Sequence, residues 1–142
     1  MVKLFKQGKA NSVTNPFLEG QSRTKMEQED PRMKNRPYRS LVGSLLYIST
    51  GTRPDIAFSV CQLIRHLEKP SEEHWNVAIR VLRYLKTTAS NGIIYQEGKN
   101  WIQTSAYSDA DWASNKDSRK SMSGTMDMIN ESPVIFKSKF QR

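Results

Sequence analysis

The apolar pattern of this chain changes period once, at "TTASNG" (87–92), and that change limits what the chain can fold into. Before it, apolar residues recur every three or four positions, which lines one face of a helix; after it they alternate, which lines one face of a strand. Leu41, Val42, Leu45, Leu46 and Ile48 predict a helix over about 38–50, interrupted by "GTRP". Pro54 suits the first position of a second helix, with Thr52 as a capping candidate. Ile56, Val60, Leu63, Ile64 and Leu67 form its apolar face, and Pro70 ends it. Ser71 is expected to cap a third helix over 72–87. There Glu72 and Glu73 suit the positive end of the dipole, and Trp75, Ala78, Ile79, Leu82 and Leu85 trace a buried stripe. Links this short predict three antiparallel helices.

Beyond the change of period, "GIIYQE" (92–97), "NWIQTSAYSD" (100–109), "SGTMDMIN" (123–130) and "PVIFKSK" (133–139) read as strands of an antiparallel meander, bounded by Gly, Asn, Ser or Pro. Helices followed by strands make the fold class α+β, with the junction near 89–92. The first 36 residues are mostly polar and carry Pro16 and Pro31, so they predict a flexible lead that contributes no core. Three units are expected: the lead at 1–36, a three-helix segment at 37–90, and strands at 91–142.

A formal charge of +8 makes a polyanion the first partner to consider. Arg80, Arg83 and Lys86 are spaced by three on the third helix, opposite the Trp75 and Leu82 stripe. With Arg65 and Lys69 they read as a basic surface that tracks phosphates, or as an ordinary solvated helix face. One cysteine, Cys61, excludes an internal disulfide framework. The longest apolar run, "LVGSLLYI", falls well short of the roughly 20 residues that span a bilayer, and the N-terminus lacks the apolar core of a signal peptide. An intracellular location without a membrane partner is expected. His66 and His74 lie eight apart with no Cys or Glu at ligand spacing, which argues against zinc. Tyr47, Phe58, Trp75 and Tyr84 are core candidates.

The acids of "YSDADWA" (107–113) raise a question of chemistry. On an extended chain Tyr107 and Asp109 share a face, and Asp109 arrives at the strand end, where a carboxylate can project into a cleft. A hard cation such as Mg needs several oxygens drawn from different elements. Asp109 is a candidate ligand, and Asp111 a rival or outer partner. Asp117 stands further out in a polar turn. The same Asp-Ala-Asp also suits a solvated turn, and spacing alone leaves both readings open.

The order of motifs over a long span adds a resemblance. "YRSLVGSLLYISTGTRPDIAFSV" (38–60), "EHWNVAIRVLRYLKTT" (73–88), "GIIY", "YSDADWA" followed by "RKSMSG", and "VIFKSKFQ" resemble the C-terminal part of copia-type retrotransposon Pol polyproteins. The resemblance covers about 11–141, since "NSVTNPFLEG" is similar to the stretch that closes the reverse transcriptase. It implies a helical connection segment followed by an incomplete ribonuclease H-like sheet, antiparallel or mixed. In that family Asp109 matches the first metal-binding aspartate of a domain that cuts the RNA strand of an RNA·DNA hybrid with two Mg ions. Asp111 and Trp112 match motif positions with no proven metal role. The family's catalytic glutamate, in a "TEAEY"-like helix, is expected beyond Arg142, and the reverse transcriptase's own aspartates upstream of Met1. Glu131 is not taken as their substitute. The chain departs from the family at Thr125 after Gly124, at Phe136 before "KSK", and at "NES" (130–132).

These features together imply a Pol fragment whose partners are an RNA·DNA hybrid and the remaining Pol segments, with Mg as the family cofactor. One carboxylate cannot hold two Mg ions, so hydrolysis by this chain alone is not expected. Two alternatives are an active hybrid ribonuclease completed by a partner chain or a longer product, and a domesticated nucleic-acid-binding module.

Overall fold

A computed structural model describes residues 1–17, 30–95, 101–111 and 121–141. Among them three helices precede three strands: α1 (Tyr38–Gly51), α2 (Ala57–Ile64), α3 (Glu72–Thr87), β1 (Thr104–Asp111), β2 (Met122–Ile129) and β3 (Ser132–Phe140). Leu41, Val42 and Leu45 of α1 meet Val60 and Leu63 of α2 and Ala78, Val81, Leu82 and Leu85 of α3 in a single apolar cluster. The Tyr38 hydroxyl crosses it and donates to the Leu63 carbonyl at 2.9 Å, and burial pushes that phenol well above its ordinary pKa. Tyr47, by contrast, is 81% exposed, because α1 turns it away from the neighbours that bury Leu41 and Leu45.

The helix boundaries follow local chemistry, with two corrections. Thr52 does not cap the second helix: it closes α1, its N–H donating to the Ile48 carbonyl, and Pro54–Ile56 forms a 3₁₀ turn before α2. The second helix also ends earlier, at Ile64: the His66 and Leu67 N–H groups donate three residues back, to the Leu63 and Ile64 carbonyls, in turns, and Arg39 Nε donates to the Leu67 carbonyl at 3.0 Å. Ser71 caps α3 as expected. A reciprocal bond runs from the Ser71 N–H to His74 Nδ1 at 2.9 Å, so a histidine completes the capping box that Glu or Gln usually completes. His66 stacks on the His74 ring at 3.8 Å between centroids, both rings being buried.

The lead differs most from expectation. Phe5 and Met33 are buried in the helical core, and Met1, Val2 and Phe17 pack against it. Asp30 caps the 3₁₀ turn Pro31–Met33, accepts two bonds from the Arg32 guanidinium, and takes the Glu72 N–H at 3.0 Å. A few apolar residues scattered among polar ones show no period, yet each can fill a gap on a helix surface that already exists. Residues 18–29 lie outside the described ones.

The sheet is antiparallel in the order β1-β2-β3. Asn130 and Glu131, at φ of 48° and 65°, form the two-residue hairpin turn between β2 and β3. Phe136, Ser138 and Phe140 alternate half-buried with exposed neighbours, and Phe136 and Ser138 line a gap against Ala57, Val60 and Ile64 of α2. The opposite face, including Ile135, stays open. The expected strand at 92–97 is absent over 92–95: there Ser132 Oγ donates to the Ile94 carbonyl and the Tyr95 hydroxyl to that of Pro133, so the segment is tied by side chains. Gln96 and Glu97 lie outside the described residues.

Candidate functional site

Asp109 sits on β1 opposite Gly124 of β2, on the sheet face that turns toward α2. The space over Gly124 is open, and an added Cβ there would meet nothing within 4 Å. The result is a cleft of about 840 Å³ between the sheet and the start of α2, whose lining includes Pro54, Phe58, Tyr107, Met126 and Phe136. Asp109 is the one carboxylate among its described lining residues. Tyr107 shares the cleft with it, as strand alternation predicts. Asp111 ends β1, paired with Met122. Trp112 and Asp117 lie outside the described residues.

The five basic candidates separate into a row and two outliers. Arg80, Arg83 and Lys86 stand on one face of α3, where residues 7–15 run alongside them. Arg80 Nε donates to the Asn15 carbonyl at 3.0 Å, Arg83 Nε to Gln7 Oε1 at 2.9 Å, and Lys86 Nζ to the carbonyls of Gly8 and Ala10 at 2.7 and 3.0 Å. Arg65 lies elsewhere, its guanidinium 4.6 Å from the centroid of the Phe140 ring, where it joins α2 to β3. Lys69 borders a third region with Asp30, Arg36 and Arg39.

Sequence reasoning missed what the "TRPDI" stretch does. Arg53 is 6% exposed, and its guanidinium grips Asp55 through Nε at 3.0 Å and Nη2 at 2.7 Å. Its Nη1 reaches the Thr88 carbonyl at 3.0 Å, at the C-terminal end of α3, where the helix dipole favours a cation. Tyr84 donates to Asp55 Oδ2 at 2.8 Å and lies under the same guanidinium. Burial alone would raise the Asp55 carboxyl, but the hydrogen bonds from Arg53 and Tyr84 outweigh it and hold it below its ordinary value. The signal was present as an Arg and an Asp two apart across a proline, a spacing that serves a bidentate grip. The motif is therefore a clamp between the α1–α2 junction and α3, and its Pro54 also borders the Asp109 cleft.

No family model matches the chain, and neither does any solved structure. Over 130 residues it is 40% identical to a retrovirus-related Pol polyprotein from transposon RE2 of Arabidopsis thaliana, covering 92% of this chain and 8% of that protein. It is 37% identical over 115 residues to the polyprotein from transposon TNT 1-94 of Nicotiana tabacum, covering 81% of this chain and 8% of that one. The chain belongs to the copia-type retrotransposon Pol family. A secreted RxLR effector protein of Plasmopara viticola, number 161, is 41% identical over 110 residues, which is 78% of this chain and 77% of that protein. The chain thus spans under a tenth of the Arabidopsis thaliana and Nicotiana tabacum polyproteins and about three quarters of the Plasmopara viticola protein. The cofactor that its family resemblance implies does not fit the described residues. A two-ion site needs carboxylates drawn from several elements, whereas the described lining of the cleft holds one carboxylate, Asp109, with Lys137 and the hydroxyl residues Ser108, Thr125 and Ser138 beside its apolar side chains, and among the described residues no group of three His, Cys, Asp or Glu is placed to hold a metal. No helix among the described residues is long and apolar enough to cross a membrane.

Proposed function

We propose that this chain is a nucleic-acid-contacting segment of a copia-type Pol polyprotein, made of the connecting helices and the first strands of a ribonuclease H-like sheet, and that it does not cut RNA by itself. The identity with Pol polyproteins over most of the chain carries the reading. Asp109, the one carboxylate among the described residues of the cleft, supports the second half of it: a two-ion displacement needs carboxylates from several elements to hold the attacking and leaving oxygens in line. The row of Arg80, Arg83 and Lys86 supports the first half, since cations one helical turn apart match a phosphate backbone.

The test uses a labelled RNA·DNA hybrid with and without Mg. The chain is expected to retain the hybrid at low salt and to leave its RNA strand intact. Mg-dependent cleavage that Asp109→Asn abolishes would refute the inactive reading and favour completion of the site in solution.

A second reading is favoured by the short relative in Plasmopara viticola, which is named a secreted effector and most of whose length this chain covers. On that reading the segment serves as a domesticated module with its helices retained. Hybrid retention lost on replacing Arg80 and Arg83, with no effect of Asp109→Asn on any activity, fits both readings. Retention unchanged by those replacements counts against nucleic-acid contact in either.

A further inference from the structure

Residues 1–17 carry Lys3, Lys6 and Lys9 and no acidic residue. They run along the face of α3 that presents Arg80, Arg83 and Lys86, held there by apolar anchors and by neutral acceptors. Phe5 enters the core, Phe17 meets Phe58 edge-on at 5.3 Å, and the Val13 N–H donates to Thr87 Oγ1 at 3.1 Å. The acceptors for the α3 cations are three backbone carbonyls and one side-chain amide. Among the described residues, docking therefore leaves the cations of Arg80, Arg83 and Lys86 without an acidic partner, and the strap brings three exposed lysines of its own. The ion pairs among the described residues form elsewhere, around Asp30, Asp55 and Glu72. Gln7 and Gly8, which accept from Arg83 and Lys86, lie between Lys6 and Lys9 in the chain, so the strap lysines flank in sequence the residues that hold the helix cations. Lys6 holds φ of 56°, a left-handed conformation in which glycine is favoured.

We propose that the N-terminal strap and α3 form one composite polyanion-binding face, in which Lys3, Lys6 and Lys9 extend the row of Arg80, Arg83 and Lys86 along the phosphates of a nucleic-acid backbone. This rests on the reading that the α3 row meets nucleic acid. A nucleic acid suits the face better than a lipid surface does. The strap turns Val2 and Phe5 inward onto the helices, which leaves a basic exterior with one strongly exposed aliphatic side chain, Leu4, to enter a bilayer.

The experiment is fluorescence anisotropy of the full chain with a labelled RNA·DNA hybrid over a series of KCl concentrations, comparing wild type with a triple variant, Lys3→Gln with Lys6→Gln and Lys9→Gln. Counterion release gives a slope of roughly 0.7 to 0.9 in log K against log salt for each phosphate contact, so the triple variant is expected to lose about two in slope and at least about tenfold in affinity at low salt. Its melting temperature is expected to match that of wild type, because all three side chains are exposed. A single Lys6→Gly variant separates charge from fold: it relieves the left-handed backbone, so its melting temperature should hold or rise while binding weakens. If wild type binds and the triple variant keeps its slope and affinity, the strap is no part of the face and this proposal alone fails. If wild type does not bind the hybrid even at low salt, the nucleic-acid reading fails and takes this one with it. Binding to phosphatidylserine vesicles in preference to the hybrid overturns the choice of partner.

Discussion

Arg53 offers the sharpest test of how the helical part is held together. Replacing it with Met keeps most of the side-chain volume while removing the grip on Asp55 and both bonds to Thr88. Removing one partner of a buried ion pair costs about 3–5 kcal/mol, chiefly because the other charge is stranded. Here the Arg53 side chain is 7% exposed but that of Asp55 is 35% exposed, so water reaches the stranded carboxylate and the cost falls at the lower end, about 3 kcal/mol. For a chain of this size that corresponds to a drop of roughly 10 °C in melting temperature. Urea unfolding followed by helical circular dichroism measures it, and a cycle with Asp55→Asn isolates the pair, with a coupling of about 1.5 kcal/mol or more expected. A loss below about 1 kcal/mol for Arg53→Met, or strictly additive single and double variants, would refute the clamp.

Further outcomes follow from the same structure. Leu82→Ala, at a fully buried position of α3, should cost about 2–5 kcal/mol in the same unfolding assay, whereas Asp109→Asn on the exposed strand should stay within about 0.5 kcal/mol. Ser71→Ala removes the acceptor for the His74 N–H at the start of α3, and about 1 kcal/mol should be lost. Burial holds the His74 imidazole below its ordinary pKa of 6.5, against an opposing pull from Glu73. The unfolded chain then binds that proton more readily, so the stability from this group is complete above about pH 6.5 and declines as the pH falls below it; His74→Gln should flatten that part of a stability profile. Asp30 works at lower pH. The hydrogen bonds from Arg32 hold it down to about 2 from an ordinary 3.8, so its share persists above about pH 4 and is lost as the pH falls toward 2, which Asp30→Asn should remove from the profile. In limited proteolysis the helical part should outlast residues 101–141, since Met122 is the one apolar side chain buried below a tenth among the described strand residues; earlier cleavage within α1 or α3 would count against this.

Much of the architecture was legible because the elements are set by short-range rules. Ser71 before two glutamates and an apolar stripe marks α3 with no tertiary information, and the observed helix begins at Glu72 and ends at Thr87. The three later strands were legible for the same reason, since alternation and bounding turn residues are local. The failures have a different origin. Thr52 looked like a cap because a proline followed it, but the last turn of α1 claimed it. The "GIIY" stretch has strand composition, yet no neighbouring strand in the described sheet offers it a ladder. Asp109 was found by its motif, and Arg53, within another motif, was passed over because its partners at Thr88 and Tyr84 are about 30 residues away.

The sequence by itself determined the three helices, the antiparallel strands that follow them and, through ordered motifs, membership of the copia-type Pol family. Each of these depends on neighbours a few residues apart or on the linear order of the motifs, which the chain carries before it folds. Tertiary structure alone decided which side chains meet. It brought Phe5 into a core that the lead's polar composition concealed, set Arg80, Arg83 and Lys86 against strap oxygens 65 to 78 residues away, and left Asp109 as the one acid among the described residues of its cleft. Those contacts join residues far apart in sequence, and their energies come from buried area and paired charges that exist only once the helices have packed.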